Sequence, residues 1–69
     1  MNNAIRIEAG RAALARAAWT RGETPCYGDE AIIDLLADLQ HFCKAACIDF
    51  AACQALAALH FETEDGGAS

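Results

Sequence analysis

Alanine constrains this chain more than any other residue type. Of the 69 residues, 17 are Ala and none is Val. Ala is the strongest helix former, so this composition favours helices. A chain of this length buries only about 60% of the surface that its unfolded form exposes. The sequence is therefore expected to form one small domain, without a large enclosed active site.

Apolar periodicity and capping residues predict three helices in one domain spanning residues 1–69, at about 4–19, 29–46 and 50–62. Residues 20–28 contain two Gly and the only Pro, which is typical of a connection. Asp29 is predicted to cap the second helix and Asp49 the third. The polar tail, residues 63–69, is expected to be flexible. The predicted fold is all-α, a small three-helix bundle.

The second predicted helix is amphipathic and is expected to be the centre of the fold. At about 100° per residue, one broad apolar face holds Ile32, Leu35, Leu36, Leu39, Phe42, Cys43 and Ala46. The opposite face holds Glu30, Asp34, Asp38 and His41. So wide an apolar face predicts contact with both neighbouring helices and favours a homodimer, with Ile33 and Phe61 at the interface. A compact monomer with a well-packed Trp19 is the alternative.

The charge distribution excludes several classes of protein. Ten acidic residues against five basic ones give a formal net charge of -5, which argues against direct binding to nucleic acid or to anionic membranes. No stretch is long enough to predict a membrane-spanning helix. Arg6, Glu8 and Arg11 interrupt the N-terminal apolar run, so no signal peptide is expected. The expected location is the cytoplasm, where the thiols stay reduced.

Three acidic residues of the second helix, Glu30, Asp34 and Asp38, form an acidic stripe at four-residue spacing. Like charges so placed disfavour an isolated helix by a few tenths of a kcal/mol per pair. One interpretation is a solvated face, offset by water or by Arg11 and Arg16 of the first helix. The other is a docking surface for a basic protein, in which aligned carboxylates meet Arg side chains and accelerate association.

The same residues suggest a metal site as an alternative. Asp38 and His41 are three residues apart, with Asp34 one turn earlier, and this spacing occurs in the metal sites of helical bundles. Those sites take ligands from several helices, so a homodimer would have to complete the set. The stripe also resembles the magnesium-binding carboxylates of all-helical nucleotide pyrophosphatases, but the third helix has no acid between Asp49 and Glu62. We therefore predict neither enzymatic activity nor a cofactor.

The cysteines are predicted to be structural. Cys43 and Cys53 fit small core positions, whereas Cys26 and Cys47 are expected to be partly exposed. Their spacing does not match a zinc finger or ribbon. His60 lies two helical turns, roughly 10 Å, beyond Cys53, which is too far for both to bind one ion. His60 is therefore predicted to be structural or interfacial.

Three segments carry a resemblance: Asp34-Leu-Leu-Ala-Asp-Leu-Gln-His41, the break at Cys47-Ile48-Asp49-Phe50, and His60-Phe61-Glu62. Together they resemble a group of short acidic helical proteins of proteobacterial mobile elements, namely plasmids, prophages and integrative elements. In that group an acidic helix with a His near its end precedes a Gly-like break, and Asp-Phe opens the next helix. Cys47 stands where a Gly is expected.

The resemblance covers about residues 30–62 and implies a genomic setting but no activity. Small acidic proteins of mobile elements often act by binding. Some, including anti-CRISPR and anti-restriction proteins, occlude the nucleic-acid channels of host defence complexes. The sequence hypothesis is therefore a non-enzymatic helical module that binds a basic protein surface, and its predicted contact residues are Glu30, Asp34, Asp38 and His41.

Overall fold

The computed structural model describes the backbone of residues 3–66 and the side chains of residues 3–64. The helices are α1 (Asn3–Thr20), α2 (Asp29–Ala46) and α3 (Phe50–Phe61), followed by a short π-helical turn at Glu62–Gly66. Residues 3–66 contain no strand, which confirms the predicted all-α fold with three helices. Each helix begins and ends within one residue of its predicted bounds.

The predicted flexible tail lies partly within the described chain. Helical structure continues through Gly66 instead of ending at residue 62. Thr63 contributes to this continuation, because its hydroxyl donates to the Leu59 carbonyl at 3.0 Å. Residues 67–69, which complete the predicted tail, lie outside the described residues.

The chain divides into two compact units, Met1–Leu39 and Gln40–Ser69, with the boundary inside α2. In the first unit, the buried residues among those described are the small side chains Ala15 and Ala18. Leu35 of α2 is half-buried. Among the described residues of the second unit, Cys43 is buried and Phe50 half-buried, and α3 has no buried residue.

Burial differs from the sequence prediction at several apolar residues. Of the predicted apolar face of α2, Phe42 is 62% exposed, and Ile32, Leu36 and Leu39 are exposed as well. Trp19 is 62% exposed, so the well-packed Trp19 of the monomer alternative is wrong. Cys53 is exposed and does not occupy a core position. For Cys53 the physical reason is that the apolar residues of α3 occur on all sides of the helix, so the pattern selects no buried face. For α2, periodicity shows which face can be buried and not whether another element covers it.

Both inter-helix connections begin with the same hydrogen-bonded cap. After α1, the Gly22 N–H donates to the Trp19 carbonyl at 3.0 Å and the Glu23 N–H to the Ala18 carbonyl at 2.8 Å. Gly22 has φ 80°. This arrangement is a Schellman motif, in which a left-handed residue reverses the chain and satisfies the last helical carbonyls.

After α2, the Ile48 N–H donates to the Cys43 carbonyl at 2.8 Å and the Cys47 N–H to the Lys44 carbonyl at 3.4 Å. Cys47 takes the left-handed position with φ 60°, the one non-glycine residue with positive φ among those described. The backbone is thus left-handed where the sequence pattern expects Gly. Asp49 then caps α3 as predicted, its carboxylate accepting from the Ala52 N–H at 3.0 Å.

Candidate functional site

The acidic stripe lies on the first half of α2, within the first unit. Asp29 is the first residue of this helix and not its cap as predicted, because the Gly28 carbonyl accepts from the Ile32 N–H at 3.2 Å. The Asp29 carboxylate accepts from the Glu30 N–H at 3.0 Å, and its charge favours the positive end of the helix. Side chains four residues apart share one face of an α-helix. Glu30 and Asp34 are exposed, whereas Asp38 is half-buried. Two of the three carboxylates of the stripe therefore face water as predicted.

Asp38 differs because Arg21 binds it. Arg21 Nη1 donates to Asp38 Oδ2, while Arg21 Nε donates to Glu23 Oε1 at 3.1 Å. The Arg21 side chain retains only 25% of its exposure. The pKa of Arg21 is raised above its ordinary value, first by the hydrogen bond to Glu23 and then by that to Asp38, against a lowering by desolvation. Asp38 is therefore held in an ion pair at one end of the stripe.

Arg21, which binds the stripe at Asp38, is not one of the two bases predicted to offset it. Arg11 instead lies 3.7 Å from Glu8, measured between Nε and Oε1, and its guanidinium carbon is 4.8 Å from the centre of the Tyr27 ring. Arg16 is exposed. Sequence reasoning considered only bases within the first helix. Arg21 was therefore not predicted. Its position just after the end of one helix and before an acidic helix could have indicated an ion pair with that helix.

A shallow pocket of about 130 Å³ adjoins the stripe within the first unit. It is lined by Leu14, Ala18, Arg21, Glu23, Thr24, Cys26, Glu30, Ala31 and Asp34. Small-molecule sites usually enclose about 300–1,000 Å³ and are mostly apolar. This pocket is smaller than that range and carries charges of both signs, from Arg21 and from the carboxylates of Glu23, Glu30 and Asp34.

The remaining predicted site residues lie apart from the stripe. His41 is exposed and belongs to the second unit, although it is also on α2. Ile33, in the first unit, is 61% exposed, and Phe61, in the second, is 64% exposed. These two residues stay predictions as members of a homodimer interface.

The metal alternative gains no support from the described part of the chain. No group of three or more His, Cys, Asp or Glu side chains within it is placed to hold a metal ion. Asp34, Asp38 and His41 are thus not assembled as ligands. All four cysteines are free, with Cys43 buried and Cys26, Cys47 and Cys53 exposed. His60 is exposed on α3.

No protein-family model, curated protein or solved structure matches this chain. Among the described residues, no helix combines the length and the apolar character needed to cross a membrane.

Proposed function

We propose that this protein is a non-enzymatic binding module whose acidic stripe docks on a basic surface of another protein. The observation that carries the proposal is the state of Glu30 and Asp34. Both are exposed on one helix face, and neither has an ion-pair partner among the described residues. Two adjacent carboxylates without an internal cation are available to an Arg or Lys side chain of a partner.

The surroundings of these carboxylates support a protein partner. Arg21 holds Asp38 in place beside them, so the stripe has one fixed end and two carboxylates that can bind. The net charge of -5 attracts a basic surface over long range and accelerates association. His41 extends the proposed contact set as a separate sequence prediction, because it belongs to the second unit.

The resemblance to acidic proteins of mobile elements narrows the proposed partner. Within that setting, the protein acts in the cytoplasm as an inhibitor that occludes a basic nucleic-acid-binding surface of a host defence complex, as anti-CRISPR and anti-restriction proteins do. Such a surface binds phosphates with rows of Lys and Arg, and these rows can equally bind a row of carboxylates.

The decisive experiment compares charge-reversed variants. Glu30→Lys with Asp34→Lys reverses the two available carboxylates and leaves the ion pair between Arg21 and Asp38 intact. Glu62→Lys with Glu64→Lys changes the net charge equally at the other end of the chain and serves as the matched control. The three proteins are used to capture partners from a host lysate, and the affinity for each captured protein is then measured at about 50 and 200 mM salt.

We expect the stripe variant to lose the partner and the control to retain it. Affinity of the intact protein should fall as salt rises, because exposed charges are screened. Equal binding by the intact and stripe-reversed proteins, with the same salt dependence, would contradict the proposal.

A further inference from the structure

We propose that Arg21 is an internal competitor for the acidic stripe, which occupies Asp38 in the way that a basic side chain of a partner would. The Arg21 guanidinium donates to Asp38 and to Glu23 at the same time. Arg21 also lines the shallow pocket together with Glu30 and Asp34. This inference rests on the proposed function and adds a contact within the chain that limits how many carboxylates the stripe offers to a partner.

The backbone around Arg21 fixes where this guanidinium begins. The Arg21 N–H donates to the Ala17 carbonyl at 3.1 Å, and the Gly22 N–H donates to the Trp19 carbonyl at 3.0 Å. Arg21 therefore belongs to the hydrogen-bonded cap that ends α1, and its side chain reaches α2 from an ordered position. A cation in the same molecule competes at a high effective concentration, because its binding loses no translational entropy.

Asp38 stays accessible in spite of this ion pair. Its side chain retains 40% of its exposure, whereas the Arg21 side chain retains 25%. The guanidinium therefore neutralises Asp38 without burying it. An ion pair between partly exposed side chains shifts an equilibrium by about fivefold at most. Removing the Arg21 guanidinium should thus return Asp38 to the stripe as a third carboxylate that can bind a partner.

Arg16 provides a matched comparison within the same unit. Its side chain is exposed and takes part in no ion pair among the described residues. Arg16→Gln and Arg21→Gln each remove one positive charge from a chain whose net charge is -5, so both increase the long-range attraction of a cation equally. Any gain in affinity that Arg21→Gln shows beyond Arg16→Gln therefore comes from the carboxylates that Arg21 releases.

The experiment titrates a fluorescently labelled peptide of four Arg residues with each protein and reads binding from the fluorescence anisotropy. The salt concentration is about 50 mM, where charges are screened less than at physiological salt. We expect Arg21→Gln to bind the peptide about 3–5-fold more tightly than Arg16→Gln does. In an Asp38→Asn background this difference should fall by more than half, because the carboxylate that Arg21 occupies is then absent.

Circular dichroism checks that each variant keeps its helix content. If Arg21→Gln does not, Arg21→Lys replaces it with an expected gain of about twofold over the intact protein, because Lys lacks the planar fork that binds two carboxylates. Peptide binding that is unaffected by Glu30→Lys with Asp34→Lys would contradict the proposed function as well. If that reversal weakens binding, two results overturn the competitor role of Arg21 alone: no gain over the Arg16→Gln control, or a gain that is independent of Asp38.

Discussion

The two connections between helices begin alike and then diverge. Both start with a Schellman motif whose left-handed residue reverses the chain, Gly22 after α1 and Cys47 after α2. The first connection continues to Gly28, and two of its side chains contact the flanking helices. Arg21 binds Asp38 of α2, and the Tyr27 ring lies beneath the guanidinium of Arg11 of α1. The second is three residues long and ends directly in the Asp49 cap of α3.

This difference teaches where each connection takes its stability from. The long connection has an unstrained backbone at its left-handed residue and stabilising contacts between charged and aromatic side chains. The short connection depends on backbone hydrogen bonds and one capping carboxylate, and it holds a residue with a Cβ in a conformation that L-residues disfavour by about 1–2 kcal/mol. Substitutions at the two left-handed residues, Gly22 and Cys47, should therefore change the stability with opposite signs.

Gly22→Ala is expected to change the free energy of unfolding more than any other substitution in the two connections. A Cβ at Gly22 meets no atom within 4 Å, so the cost comes from the backbone conformation alone. At φ 80° we expect a loss of about 1–2 kcal/mol in the free energy of unfolding. Urea unfolding followed by circular dichroism measures it. Gly10→Ala, which also has open space but lies inside α1, should instead stabilise by about 0.5–1 kcal/mol; equal effects would contradict the prediction.

Asp49→Ala tests the capping carboxylate of the short connection. The Asp49 side chain accepts from the Ala52 N–H at 3.0 Å, and removing such a cap costs about 1 kcal/mol. Asp49→Asn keeps an acceptor and should cost less than half as much. The same urea measurement applies. A loss that is the same for both variants would place the effect in the charge of Asp49 and not in the hydrogen bond.

Cys47→Gly is expected to stabilise the protein, opposite in sign to Gly22→Ala. Relief of the left-handed strain outweighs the greater freedom of Gly in the unfolded chain, for a net gain of about 0.5–1 kcal/mol. Cys47→Ala keeps a Cβ and should change the stability by less than about 0.5 kcal/mol, which separates backbone strain from loss of the thiol. Urea unfolding under reducing conditions measures the free energy of unfolding of both variants. A gain with Ala equal to that with Gly would refute the strain explanation.

The two connections also show how far sequence reasoning reaches. Helix ends were predictable because Asp29, Asp49 and the Gly and Pro of residues 20–28 act within a few residues of themselves. The partner of Asp38 was not predictable in this way, because Arg21 is 17 residues away in the sequence and follows the end of α1. Exposure at Phe42 was also missed, because amphipathic patterning shows which face can be buried and not whether another element covers it.

Tyr27→Leu should have the smallest effect, and it tests the side-chain contacts of the long connection. The Arg11 guanidinium lies 4.8 Å from the ring centre, and a cation–π contact at an exposed site contributes about 0.5–1 kcal/mol. We expect a loss near the lower figure, because Leu retains part of the apolar contact. Tyr27→Phe keeps a ring and should be nearly neutral. An equal loss in an Arg11→Gln background would mean that the ring acts independently of the guanidinium, so the double-mutant cycle decides whether this contact stabilises the connection.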